Sequence, residues 1–101
     1  MRLDDYQAEA AKFAGYGGNA MYALLGLAEE AGEVAGKAAK FIRHNDGLDP
    51  SVARKSMPYS MKDEVEGFRQ DLSKELGDVL WMVAAVATEF GLSLDDVAAD
   101  N

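Results

Sequence analysis

Leu24-Leu25-Gly26-Leu27-Ala28-Glu29-Glu30-Ala31-Gly32-Glu33-Val34 is an apolar run broken only by acids and glycines, and its acids are placed with regularity. Glu30 and Glu33 stand three residues apart, a spacing that makes neighbours on one helix face. Further along, Glu75-Leu76-Gly77-Asp78-Val79 repeats the arrangement with Glu75 and Asp78. Projected at roughly 100° per residue, Leu24, Leu27, Ala28, Ala31, Ala35, Ala38 and Ile42 form one stripe, with Glu30 on its border, Glu33 beside Glu30, and Glu29 farther round toward solvent. Val65, Phe68, Leu72, Leu76, Val79, Val83, Val86 and Phe90 form a second stripe, flanked by Glu75 and then Asp78. Two long amphipathic helices that pack their stripes together in an antiparallel pair define an all-α fold.

Such a pair brings four carboxylates toward the rim of one interface. Like charges repel at that range, and withdrawal from water makes each anion more costly, so protons or cations must compensate. Hard divalent ions that favour oxygen ligands do so, Mg²⁺ first and Mn²⁺ next. A solvated acidic face is the competing reading, since pairs of this kind are common on exposed helices.

The pattern Glu-Glu-x-x-Glu followed by Glu-x-x-Asp, together with the wider text Leu24 to Val34 and Glu75 to Trp81, resembles the MazG-like, all-α nucleoside triphosphate pyrophosphohydrolases, in particular their small bacterial and phage members. The likeness runs from Tyr6 to Asn101 except for the middle loop. It implies hydrolysis between the α- and β-phosphates of a nucleoside triphosphate, giving a monophosphate and pyrophosphate. It further implies that Glu30, Glu33, Glu75 and Asp78 hold Mg²⁺, with Mn²⁺ possible, and that Glu29 orients or deprotonates the attacking water. Asn101 matches an asparagine that the family turns back toward metal or substrate.

With 101 residues, the chain makes one domain, residues 1–101, with a modest core. Its net charge of -8 lacks the basic footprint of a duplex-binding protein. Bound cations reconcile that acidity with an anionic substrate. There is no cysteine for disulfides or thiolate metal sites. Met1-Arg2-Leu3-Asp4-Asp5 does not open a signal peptide and no apolar run reaches membrane-spanning length, so a cytoplasmic protein without a membrane partner is expected.

About four helices are predicted. The first spans Leu3 to about Ala14 and ends at Gly15-Tyr16-Gly17-Gly18, and Asn19 caps a second running from Ala20 to His44. Lys37, Lys40 and Arg43 lie along that helix. Lys37 and Lys40 are candidates for phosphate, against an ordinary i, i+4 pairing of Glu33 with Lys37. Asn45 to Ser60, with Pro50 and Pro58, reads as a flexible loop. A third helix runs from about Ser60–Lys62 to Phe90 and stops at Gly91, and Ser93-Leu94-Asp95-Asp96 caps a short or truncated fourth. Opposite its core stripe the third helix carries Gly77, Trp81, Ala84 and Thr88, a surface for either a second subunit in a homodimer or homotetramer or another helix of the same chain. Phe13, Tyr16, Tyr22 and Tyr59 are available to stack on a base.

A non-enzymatic helical oligomer or regulatory module is the alternative function. A redox di-metal bundle fits poorly, because such sites add histidine from Glu-x-x-His, and the single histidine, His44, is remote from both acidic pairs.

Overall fold

The computed structural model describes residues 1–13, 20–56 and 61–101. Five helices and no strand are present among them: α1 (Leu3–Ala11), α2 (Ala20–His44), α3 (Pro50–Ser56), α4 (Lys62–Glu89) and α5 (Leu94–Asp100). The all-α expectation holds, and α2 has the expected bounds. The turn at Gly15–Gly18 and the cap at Asn19 lie outside the described residues, as do Pro58 and Tyr59. No single helix among the described residues is long and apolar enough to cross a membrane.

The chain divides into two compact units. Unit one takes α1, α2 as far as Glu30, α4 from Asp78, and α5; unit two takes α2 from Ala31, α3, and α4 as far as Gly77.

In unit one the C-terminal part of α4 is covered on nearly every side, with Met82, Ala84, Ala85 and Ala87 all buried. Ala84 and Ala87 meet Ala10 of α1 and Leu94 of α5, and Tyr6, Trp81 and Val83 pack around this cluster. Alanines permit that closeness because they bring helix backbones together without a long side chain between them. The face offered by Trp81 and Ala84 is therefore filled by helices of the same chain. Thr88 on that face takes a hydrogen bond from the Gln7 amide, 3.3 Å.

Helix α4 ends where Gly91 adopts φ +67°. The Leu92 N–H reaches back to the Ala87 carbonyl at 2.8 Å and the Gly91 N–H to that of Thr88 at 3.2 Å, the two bonds of a Schellman stop. The chain then enters α5 through Ser93, whose hydroxyl accepts from the Asp96 N–H at 3.2 Å, as the capping motif predicts. Residues of α1 complete the start of α5. The Asp4 carboxylate accepts from the Ser93 hydroxyl at 2.8 Å and the Asp95 N–H at 3.0 Å, and the Gln7 side chain accepts from the Leu94 N–H at 2.9 Å while donating to the Leu92 carbonyl at 2.8 Å.

These bonds to Asp95 and Ser93 hold the Asp4 carboxyl below its ordinary range. A carboxylate whose folded value is depressed contributes stability above its unfolded value, 3.8, and loses it as pH falls through the lower folded one. Asp4→Asn is accordingly less stable than the parent at pH 7 in thermal melts, and the gap narrows as pH drops below about 4. A gap that is constant with pH would rule out the charge as its source.

Unit two has its own core of Phe41, Ala53 and Val65, with Leu48, Met61 and Phe68 against it. The Phe41 and Phe68 rings lie 5.2 Å apart, tilted by 56°. With Lys37 opposite Glu75 and Phe41 opposite Phe68, α2 and α4 run antiparallel in this unit. Helix α3 occupies part of the stretch expected to be an open loop. Pro50 sits at its first position, where a missing N–H costs nothing, and the Asp49 carboxylate accepts from the Ser51 N–H at 2.7 Å and the Ser51 hydroxyl at 2.6 Å. These bonds from Ser51 pull the Asp49 carboxyl below its usual range. Ala53, 1% exposed, fixes α3 to the core.

The covered side of α2 differs from the expected stripe. Ala23 and Phe41 are buried and Gly26, Leu27, Glu30, Val34, Lys37 and Ala38 are half-covered, whereas Leu25 is 66% exposed. The covered face is turned by about one residue, close to 100°. Alanine and glycine surround this helix, so hydrophobicity alone does not single out a face. On α4, Val65, Phe68, Leu72 and Val79 face inward as expected, but Glu75 and Met82 replace the exposed Leu76 and Phe90.

Candidate active site

Turning α2 by one residue moves Glu30 from the margin of a stripe to its covered side. In unit one Glu30 lines a cavity of about 500 Å³ with Tyr22, Leu25, Gly26 and Glu29 of α2 and Asp78, Trp81 and Met82 of α4. Helical spacing explains the set. Tyr22, Gly26 and Glu30 recur every four residues on α2, and Trp81 and Met82 follow Asp78 by three and four on α4.

Gly26 lets the flexible end of the Met82 side chain lie close against α2. A Cβ at this position would collide with the Met82 methyl group and sit 3.4 Å from its sulfur. Trp81 packs with Tyr6 against Ala10, Ala84, Ala87 and Leu94, so the core backs that wall. Burial raises the Tyr6 phenol above its ordinary value, and the negative charge of Asp78 adds to the rise. Tyr6 is therefore close enough to Asp78 to sense its charge.

A carboxylate oxygen of Glu30 lies within 4.8 Å of one on Asp78. Octahedral Mg²⁺ with bonds of about 2.0–2.1 Å holds its oxygen ligands about 3–4 Å apart, so a small side-chain movement would let one ion bridge them. Their chemistry also fits, because carboxylates are the hard oxygen donors that Mg²⁺ and Mn²⁺ prefer. Glu29 is exposed while also lining the cavity, which leaves it open to water.

The remaining expected site residues are not among those that line this cavity. Glu33, in unit two, is exposed. Glu75, in the same unit, has a side chain only 14% exposed and lies 3.9 Å from the Lys37 ammonium. Lys37 thus pairs with Glu75 on α4, not with Glu33 along its own helix. Lys37 and Lys40 line a second hollow, about 340 Å³, with Phe41, His44 and Phe68. Asn101 lines a third, with Leu3, Leu80 and Val97, and is absent from the lining of the acidic cavity.

Trp81 and Met82 in the cavity lining, and Tyr6 in the packing behind it, were not assigned to this site by motif reading. Their signal was present for two of them: the rule that puts Glu75 beside Asp78 puts Trp81 and Met82 on the same side of α4. For Tyr6, on another helix, the sequence carries no such signal.

Comparison with known proteins bears on this geometry. The MazG nucleotide pyrophosphohydrolase domain matches residues 20–101, which include Glu29, Glu30, Glu33, Glu75 and Asp78. The gene 37 protein of Mycobacterium phage L5 is 33% identical over 109 aligned positions, covering 100% of this chain and 82% of that protein. No solved structure matches significantly. Since the matched domain takes in α2 through α5 and both acidic motifs, the chain belongs to the MazG nucleotide pyrophosphohydrolase family.

Proposed function

We propose that the protein is a Mg²⁺-dependent nucleoside triphosphate pyrophosphohydrolase that cleaves between the α- and β-phosphates and releases a nucleoside monophosphate and pyrophosphate. The observation that supports this most is the convergence of Glu30 and Asp78, with Glu29 beside them, on one aromatic-walled cavity. The ligands are Glu30, Glu33, Glu75 and Asp78, the four acids that the two motifs name. Mg²⁺ bound there supplies charge neutralisation for the polyphosphate and acidifies a coordinated water.

The chain's own residues do the rest. Glu29, exposed at the cavity, accepts the proton that the attacking water must lose. Tyr22 and Trp81 offer apolar faces on which a base can rest. Lys37 and Lys40 attract phosphate oxygens. Leu25, Leu76 and Leu80 lie on the surface, 66%, 50% and 40% exposed, and favour a homodimer or homotetramer over an isolated chain.

Incubation with a panel of nucleoside triphosphates and Mg²⁺ should release pyrophosphate and the corresponding monophosphate, resolved by ion-exchange chromatography. Orthophosphate alone would mean a different bond is cut. No release with any triphosphate would favour a non-enzymatic helical module.

A further inference from the structure

A lysine four residues after a glutamate on a helix ordinarily pairs with it. Lys37 does not pair with Glu33; its ammonium turns across to Glu75 of α4, 3.9 Å away. The burial of the two partners explains why. The Glu75 side chain is 14% exposed and that of Lys37 32%, while Glu33 is at the surface with water to stabilise it. A carboxylate largely withdrawn from water has the greater need of a cation. Among the described residues, no other Lys, Arg or His nitrogen lies within 4.0 Å of Glu75.

We propose that Lys37 is a built-in counter-ion for Glu75 that the divalent metal must displace, so that metal loading releases the ammonium for the polyphosphate. The proposal rests on the pyrophosphohydrolase reading, in which Glu75 is a metal ligand. Two cations cannot both draw full benefit from one carboxylate, and a divalent ion at bonding distance is the stronger claimant. The lysine stem is long and flexible, so the displaced ammonium moves without disturbing α2. It already borders the hollow shared with Lys40, so release leaves two ammonium groups, one helical turn apart, on one side of that hollow. Empty protein is thereby kept from holding an uncompensated acidic centre, and substrate anions meet the second lysine only once metal is present.

The test is Mn²⁺ binding to the full chain, followed by electron paramagnetic resonance of the free ion, for the parent, Lys37→Gln, Lys37→Met and Lys37→Arg. Circular dichroism confirms that each variant is folded. Lys37→Met retains the apolar stem should the Gln amide disturb packing. Removing the charge should tighten Mn²⁺ binding about two- to fivefold, the range expected for losing one partly exposed ionic competitor. Lys37→Arg keeps a cation and stays near the parent. Binding of inorganic pyrophosphate with Mn²⁺ present should weaken in Lys37→Gln and Lys37→Met but not in Lys37→Arg. Equal or weaker Mn²⁺ binding in both neutral variants would overturn the displacement role and leave the pyrophosphohydrolase reading standing. A parent that binds no Mn²⁺ would overturn both.

Discussion

Asp78→Asn should lower turnover of the preferred nucleoside triphosphate on the order of 10³-fold, the scale of losing one essential electrostatic contact in a preorganised site. The substitution keeps the shape of the side chain and one oxygen while deleting the charge that, on the proposed reading, shares a cation with Glu30. Asp78 is exposed, so the melting temperature should change little, as is usual for surface positions. Tyr6 provides an internal control. The Asp78 charge is one cause of its raised phenol, so the ultraviolet titration of Tyr6 should move down toward its ordinary value of 10.0 in the variant. Undiminished turnover with that titration shifted would show that the cavity is intact and Asp78 is not a ligand.

Phe41→Ala should cost about 3–5 kcal/mol, the typical loss for removing a buried aromatic. Phe41 is 7% exposed, touches the core formed with Ala53 and Val65, and meets Phe68 at 5.2 Å. At about 4–8 °C per kcal/mol for a domain of this size, the melting temperature falls by about 12 °C or more. Since domains of this kind are stable by only about 5–15 kcal/mol, the variant stands near the threshold of folding. A fall of a degree or two in differential scanning calorimetry would mean that unit two relaxes around the lost ring.

Helix limits were legible in the chain where local chemistry fixes them. The second helix runs from Ala20 to His44 because no proline interrupts it, its alanines and leucines outweigh three glycines, and Asn45-Asp46-Gly47 ends it; Asp46 even takes the left-handed φ of +54° that such a stop requires. Gly91 and Ser93 likewise mark one end and the next beginning. Pro50 misled, because a proline read as a breaker is equally a good first residue, and the difference depends on Asp49 as its cap and on a place for Ala53 to dock. The first helix stops at Ala11, short of the expected Ala14.

The side of α2 that turns inward was not legible, since Leu24, Ala28, Ala31 and Ala35 give the outer face as much apolar character as the inner one. That choice is made by partners on other helices. For the same reason, the motif pointed to Glu30 and Asp78, but the pairing of Lys37 with Glu75 required tertiary structure. Trp81 was ambiguous between two kinds of partner, and the answer lies in Ala10, Ala87 and Leu94, which take up the Ala84 face.

The stretch that identifies the family begins at residue 20 and so leaves α1 out. Yet Asp4 and Gln7 fasten the entry to α5, and Tyr6 and Ala10 supply one side of the packing behind Trp81. A fragment cut to the family boundary would therefore arrive with its last helix unmoored and its tryptophan facing water. The opening dozen residues act as a clasp joining head to tail, and any tag or trim at the amino end is a perturbation felt at the other extremity.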